Sequence, residues 1–327
     1  MHKHYSGPMT DHFDGTRFYN QDRLSEPSFK NFLAWLITRK PGVWLEQNHM
    51  PLPAEKPPAC VEGTRLRVTF VNHATFLIQT EGVNLLTDPI WSQRASPVWF
   101  AGPRRMRRPG IMPEDLPPID VIMISHNHYD HLDAPTLKRL ACNHNAMVIT
   151  TLGNAQLIKK QGVARVVELD WWEEVAVSDT VSIVCVPAQH FSGRGLFDHY
   201  KTLWGGFVIQ TKGGTVYFAG DTGYGPHIEQ IAERFRPLRL ALLPIGAFVP
   251  EWFMSFAHMS PADAVQAHLA LGAQTSIGMH YGTFPLADDG QEDPVRALCE
   301  ILSKTDLYGT EFWLLKNGEA RDVPMAE

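Results

Sequence analysis

Ile119-Asp-Val-Ile-Met-Ile-Ser-His-Asn-His-Tyr-Asp-His-Leu-Asp133 is the stretch on which the reading of this chain turns. Val121, Ile122, Met123 and Ile124 form a short apolar run behind Pro118. A run of that length, β-branched and bounded by proline and polar residues, predicts a buried strand rather than a helix. It stops abruptly in His126, His128, Asp130 and His131, spaced H-x-H-x-D-H. Imidazoles and carboxylates are the ligands that zinc-type ions prefer. Asp133-Ala-Pro-Thr136 then opens a helix through Leu140, with Asp133 as N-cap and Pro135 in the first turn. The cluster therefore occupies the gap between a strand and a helix, where its side chains converge.

Three later places repeat this grammar of an apolar strand ending in a ligand-type residue. Val181–Pro187 runs into His190, Thr215–Ala219 into Gly220-Asp221, and Ser276–Met279 into His280. If these ends share one edge, six or seven ligands meet. That is too many for one tetrahedral ion and suits two ions sharing a carboxylate. Gly220 and Gly223 flank Asp221 and allow a sharp turn there.

The outer segments read more simply. Residues 1–24 are polar and aperiodic and predict an extended arm. Phe29, Phe32, Leu33, Leu36 and Ile37 recur at helical spacing in 25–46, with Ser25 or Ser28 as cap. The apolar stripe predicts a helix packed on the core, or one lying on a membrane surface. Residues 51–58 are proline-rich and read as a linker. The division expected is 1–58 as arm, helix and linker packing on the core, and 59–327 as the catalytic domain. Leu66–Val71, Thr75–Thr80 and Val83–Thr87 predict a meander. Arg104, Arg105, Arg107 and Arg108 lie in a loop that reads as solvated, or as an anion-binding loop near the site. Beyond Asp133, strands and helices alternate to Leu315, which argues for two sheets with helices outside.

At this point the chain resembles the metallo-β-lactamase-fold hydrolases. His126, His128, Asp130 and His131, followed in order by His190, Asp221 and His280, match their binuclear site. Within that superfamily, residues 64–315 resemble the branch of N-acylphosphatidylethanolamine-hydrolysing phospholipase D. The segments that carry this are Pro187-Ala-Gln-His190, Thr202-Leu-Trp-Gly205, Phe218-Ala-Gly-Asp-Thr-Gly-Tyr224, His258-Met-Ser-Pro261 and Met279-His-Tyr-Gly-Thr-Phe284. The resemblance implies an αβ/βα sandwich, two mixed β-sheets flanked by helices. It implies two divalent ions, zinc first, with iron or manganese accepting the same ligands. His126, His128 and His190 would hold one; Asp130, His131 and His280 the other; Asp221 would bridge. Asp130 and His258 are the catalytic candidates, His258 contacting a substrate oxygen or donating a proton to the leaving group. Asp88 would orient a ligand histidine or cap a turn. His73 would support the site or be a satisfied core histidine. Phe248, Trp252 and Tyr281 are candidate substrate contacts. The branch carries Tyr-Glu-Pro-Arg where this chain has Phe248, Val249, Pro250 and Glu251, and tryptophan is common where Phe191 and Tyr281 stand.

The implied activity is hydrolysis of a phospholipid-like phosphodiester in the phospholipase D manner. A lactonase, a sugar-phosphate or nucleotide phosphodiesterase, and a non-catalytic metal-binding regulator are the alternatives. The partner expected is a small-molecule or lipid substrate, with peripheral membrane contact and a homodimer left open. A net charge of −6 argues against nucleic acid. Four scattered cysteines, without C-x-x-C, argue against a disulfide framework. No apolar leader or spanning run is evident, so a cytoplasmic location is expected, with a place peripheral to the inner face of the membrane left open.

Overall fold

The computed structural model describes residues 5–22, 27–47 and 56–325. Ser25 and most of the expected linker fall outside those residues. The first sheet holds β1 (Leu66–Asn72), β2 (Thr75–Thr80), β3 (Val83–Thr87), β4 (Val121–Ile124), β5 (Met147–Thr151) and β6 (Arg165–Leu169). The second holds β7 (Glu174–Ala176), β8 (Ser182–Val186), β9 (Gly206–Thr211), β10 (Gly214–Phe218), β11 (Leu238–Pro244), β12 (Ala273–Met279) and β13 (Glu311–Trp313). A final strand, β14 (Ala320–Val323), returns to the first sheet and pairs antiparallel with β1.

The apolar run of β4 shows why the sheets stack. Val121 and Met123 join the core between the two sheets, with Ile183, Phe207, Leu240 and Ile277 from the second. Ile122 and Ile124 point the other way, against Leu137 and Leu140 of α2 (Ala134–Asn143). Successive residues on a strand face opposite sides, so a strand buried on both faces is apolar throughout.

Each sheet changes from antiparallel to parallel pairing partway across, at β3/β4 and at β10/β11. Parallel strands place their C-terminal ends on one edge, and ligands of open α/β sheets collect outside that edge. Asp88 follows β3, the H-x-H-x-D-H segment follows β4, Asp221 follows β10 and His280 follows β12.

In the arm, Phe13 and Phe18 are buried in the main core, and buried His12 lies between Asp11 and Asp170. Two expectations for the outer segments need correction. The expected helix is shorter, α1 (Phe29–Thr38), with Ser28 in a capping box with Asn31. Its predicted inward stripe faces out: Phe32, Leu33, Leu36 and Ile37 are exposed, Ile37 to 83%. Trp35 anchors it instead, stacked on Phe253 beside Ala247, Met254 and Ala287. Nor is the arginine loop simply solvated or anion-binding. Arg105 is fully buried, donating to the carbonyls of Ile90 and Ser92 and to Asn72 Oδ1.

Among the described residues, no helix is long and apolar enough to cross a membrane.

Candidate metal centre

The four strand ends deliver their side chains to one place. The turn after β10 depends on Gly220, which has φ +61° and no room for a Cβ beside Ser125. Gly223 is needed for a different reason. A side chain there would strike the carbonyls of Ser255 and Phe256. His280, Asp88 and His73 all take positive φ values, 62°, 30° and 50°. Non-glycine residues held there are strained, and the surrounding hydrogen bonds maintain them.

One group joins His126, His128 and His190. His126 Nε2 lies 2.9 Å and His190 Nε2 3.2 Å from His128 Nδ1. A second group joins Asp130, His131 and His280 with Asp221. The Nε2 atoms of His131 and His280 are each 3.1 Å from Asp221 Oδ2, and 3.4 and 3.3 Å from Asp130 Oδ2. Ligands about 2.0–2.2 Å from a tetrahedral ion stand roughly 3.3–3.6 Å apart, so both groups are close to that spacing. Asp221 Oδ2 also lies 3.8 Å from His190 Nε2, which places it between the two groups.

The outer ring nitrogens supply an independent test of fit. His131 Nδ1–H donates to Asp88, His190 Nδ1–H to the Ala257 carbonyl, and His126 Nδ1–H to Ser125 Oγ. Ser125 Oγ in turn donates to Asp88. Each bond fixes the tautomer that leaves a bare Nε2 facing inward, the usual arrangement behind a metal-bound histidine. His131 Nε2 and Asp221 Oδ1 are buried with no hydrogen-bond partner. Buried polar atoms are rarely orphaned, so these side chains suit a cation they can bind.

The electrostatics agree. Burial holds His126 and His190 well below the ordinary histidine range, and His128 near about 4, so these lone pairs are free at neutral pH. Burial also opposes charge on Asp130 and Asp221. The surrounding histidines, His131 foremost, outweigh it and keep both carboxylates ionised. For His131 and His280, burial is likewise outweighed by Asp221 and Asp130. His280 rises to about 9, and these protons occupy the negative field that a metal would fill.

Asp88 does more than cap a turn. It accepts the Ser125 N–H and hydroxyl and the His131 ring N–H. His73 is not a satisfied core histidine: Nε2 contacts Asp130 Oδ2 at 3.0 Å, Nδ1 has no partner, and the ring lies 4.1 Å from that of His280. His258 lies beside the centre, its Nδ1 3.9 Å from Asp221 Oδ2 and without a partner. Burial lowers it to about 4. Phe248 and Trp252 join His258 in lining a cleft of about 470 Å³. Tyr281 does not line that cleft. Its hydroxyl donates to the Leu315 carbonyl and its ring packs on Phe70.

Sequence reasoning missed Asn20. Its amide donates to the His190 carbonyl and accepts the His190 N–H and the Trp204 ring N–H. Nothing in a polar, aperiodic arm signals this. Ser125 was findable, as the hydroxyl directly before the first histidine.

Residues 83–281 match the beta-lactamase superfamily domain family. The chain belongs to that family. The N-acyl-phosphatidylethanolamine-hydrolyzing phospholipase D 1 of Caenorhabditis elegans is 40% identical over 267 residues, covering 78% of this chain and 75% of that protein. A mitochondrial protein of the same name from Saccharomyces cerevisiae is 32% identical, over 80% of this chain and 56% of its own length. In structure, an isothiocyanate hydrolase from Delia radicum gut bacteria aligns with a TM-score of 0.62 at 20% identity, over 80% of this chain and all of that one. The novel metallo hydrolase Igni18 from Ignicoccus hospitalis gives 0.59 at 21%, with the same coverage. At such identities the likeness is one of fold. Family and fold are those of the metal-dependent hydrolases of the metallo-β-lactamase fold.

Proposed function

We propose that this protein is a two-metal phosphodiesterase of phospholipase D type, acting on an N-acylated or related phospholipid. The observation that carries the reading is Asp221, one buried carboxylate set between two groups of ligand side chains. His126, His128 and His190 would hold one ion and Asp130, His131 and His280 the other, with zinc the best match to the donors and iron or manganese compatible. When bound, such a pair supplies a hydroxide at neutral pH and a positive surface for a phosphate.

The chain's own residues complete the task. Asp130, kept ionised and held by His73, fixes one side of the centre. His258, held neutral at pH 7 with its Nδ1 3.9 Å from Asp221 Oδ2, would serve the departing alcohol as the neighbouring proton donor. In balance, one water is consumed: its oxygen ends on phosphorus, the phosphorus–oxygen bond to the alcohol breaks, and the alcohol leaves protonated. The exposed stripe of α1 supports peripheral contact with a lipid surface.

The test uses protein loaded with two equivalents of zinc and three substrates: a bis-aryl phosphodiester, an acyl lactone and N-acylphosphatidylethanolamine. Turnover of both phosphodiesters is expected. Turnover of the lactone alone would replace this reading with a lactonase. No turnover of any would leave the regulator.

A further inference from the structure

Three segments that carry groups of the centre meet at one buried hydroxyl. Thr222 directly follows Asp221 and is completely buried. Its Oγ1 accepts the Gln189 N–H at 2.9 Å and donates to the Gly223 carbonyl at 2.7 Å. His227 Nε2 lies 2.9 Å from the same oxygen. A hydroxyl has one proton to give and two lone pairs to offer. Its proton goes to Gly223, so His227 is the donor in the third bond and carries its proton on Nε2. Every bonding position of the Thr222 hydroxyl is then filled, and His227 fixes the way it points.

The residues beside this knot belong to the centre. Gln189 precedes His190, and its carbonyl accepts the Gly223 N–H. The Thr222 carbonyl accepts the N–H of Met259, the residue after His258. The Ala257 carbonyl accepts the His190 ring N–H. The turn 221–223 is thereby tied to segments 189–190 and 257–259, and each of the three brings one side chain: Asp221, His190 and His258. His190 Nε2 and His258 Nδ1 stand 3.8 and 3.9 Å from Asp221 Oδ2, too far for a hydrogen bond. Their spacing is therefore set by the backbone ties.

We propose that Thr222 is a positioning residue of the centre, setting Asp221 against His190 and His258, and that His227 orients its hydroxyl. For Asp221 and His190 this rests on the two-metal reading, and for His258 on the phosphodiesterase reading. Replacing the hydroxyl by a methyl group leaves the Gln189 N–H and the His227 Nε2–H without an acceptor in a site closed to solvent. The segments then shift apart. Asp221 lies between both ligand groups, so its displacement disturbs both at once.

The first measurement needs no turnover. Metal-free protein is titrated with zinc in competition with a chromophoric chelator, and its thermal unfolding is followed in parallel. Thr222→Val should weaken both zinc equivalents by about 10–100-fold. Thr222→Ser, which keeps the hydroxyl, should restore most of that affinity. His227→Leu should show part of the loss, and His227→Gln, which still offers an N–H, little of it. A Thr222→Val protein that melts lower yet holds both ions as tightly as the wild type overturns the proposal. So does a loss that Thr222→Ser shares in full. Should Thr222→Val yield no folded protein, the His227 variants decide, and wild-type zinc affinity in His227→Leu overturns the proposal. The second measurement is kcat at saturating zinc for phosphodiesters of graded leaving-alcohol acidity. Thr222→Val should lose more on a poor leaving alcohol than on an aryl one; a uniform loss overturns the part assigned to His258. No turnover by the wild type removes the phosphodiesterase reading and leaves the zinc result to decide the rest.

Discussion

His131 donates its ring Nδ1–H to Asp88 Oδ2 across 2.6 Å, and both side chains are completely shut off from solvent. The bond crosses from the end of β3 to the turn after β4. It settles which nitrogen of His131 faces Asp130 and Asp221.

Asp88→Asn should therefore weaken one metal equivalent much more than the other. Loss of such an outer partner typically costs about 10–100-fold in metal affinity. Competition with a chelator, read as zinc released per chain, checks it. Two equivalents held as tightly as in the wild type would show that His131 needs no partner.

Asn20 clamps both backbone groups of His190 from a distant part of the chain. Asn20→Leu leaves a buried N–H and carbonyl unpaired, at a cost of about 1–3 kcal/mol. Lower thermal stability and weaker binding at the group of His126, His128 and His190 are expected together. A stability loss with zinc affinity intact would limit Asn20 to folding.

Trp35 is the buried residue through which α1 holds to the core, so Trp35→Ala should free that helix without melting the protein. Amide exchange across residues 29–38 should accelerate while that of β11 and β12 stays unchanged. Slow exchange in the variant would mean that α1 has another anchor.

The pH response follows from two histidines away from the ligands. Burial pulls His227 to about 3 and His268 to about 4. Unfolded, each titrates near about 6.5. Between these limits the unfolded chain binds protons that the native chain refuses, so stability falls as pH falls below about 6.5. The slope approaches about 1.4 kcal/mol per pH unit per histidine. Urea midpoints of metal-free protein at pH 7.5, 6.0 and 5.0 should decline. The decline should be shallower in a His227→Gln, His268→Gln double variant; equal slopes would contradict the assignment.

The strand ends were legible in sequence because each joins two strong local signals, an apolar run and an abrupt change to ligand-type residues. His190, Asp221 and His280 are weak alone and gain meaning from a common position after a strand. Burial decided elsewhere in the chain leaves no such mark. Arg105 sits in a basic, proline-rich loop, yet its guanidinium fills an interior site made by the carbonyls of Ile90 and Ser92 and by Asn72. The stripe on α1 misled for the opposite reason: helical periodicity identifies an apolar face but not what covers it. Tyr281, directly after His280, sends its hydroxyl to the Leu315 carbonyl, a contact that no local pattern announces.

The pairing of β14 with β1 has a bearing on how the chain is made. Among the described residues β14 follows every other strand, so the outer edge of β1 stays unpaired until all of those strands have emerged. During that interval a nascent chain carries an open strand, with a long row of free backbone donors and acceptors, that a neighbouring chain could join. Shielding by chaperones, slow translation or low temperature should favour recovery of folded protein during expression, and deletion of residues 320–323 should send the product into aggregates.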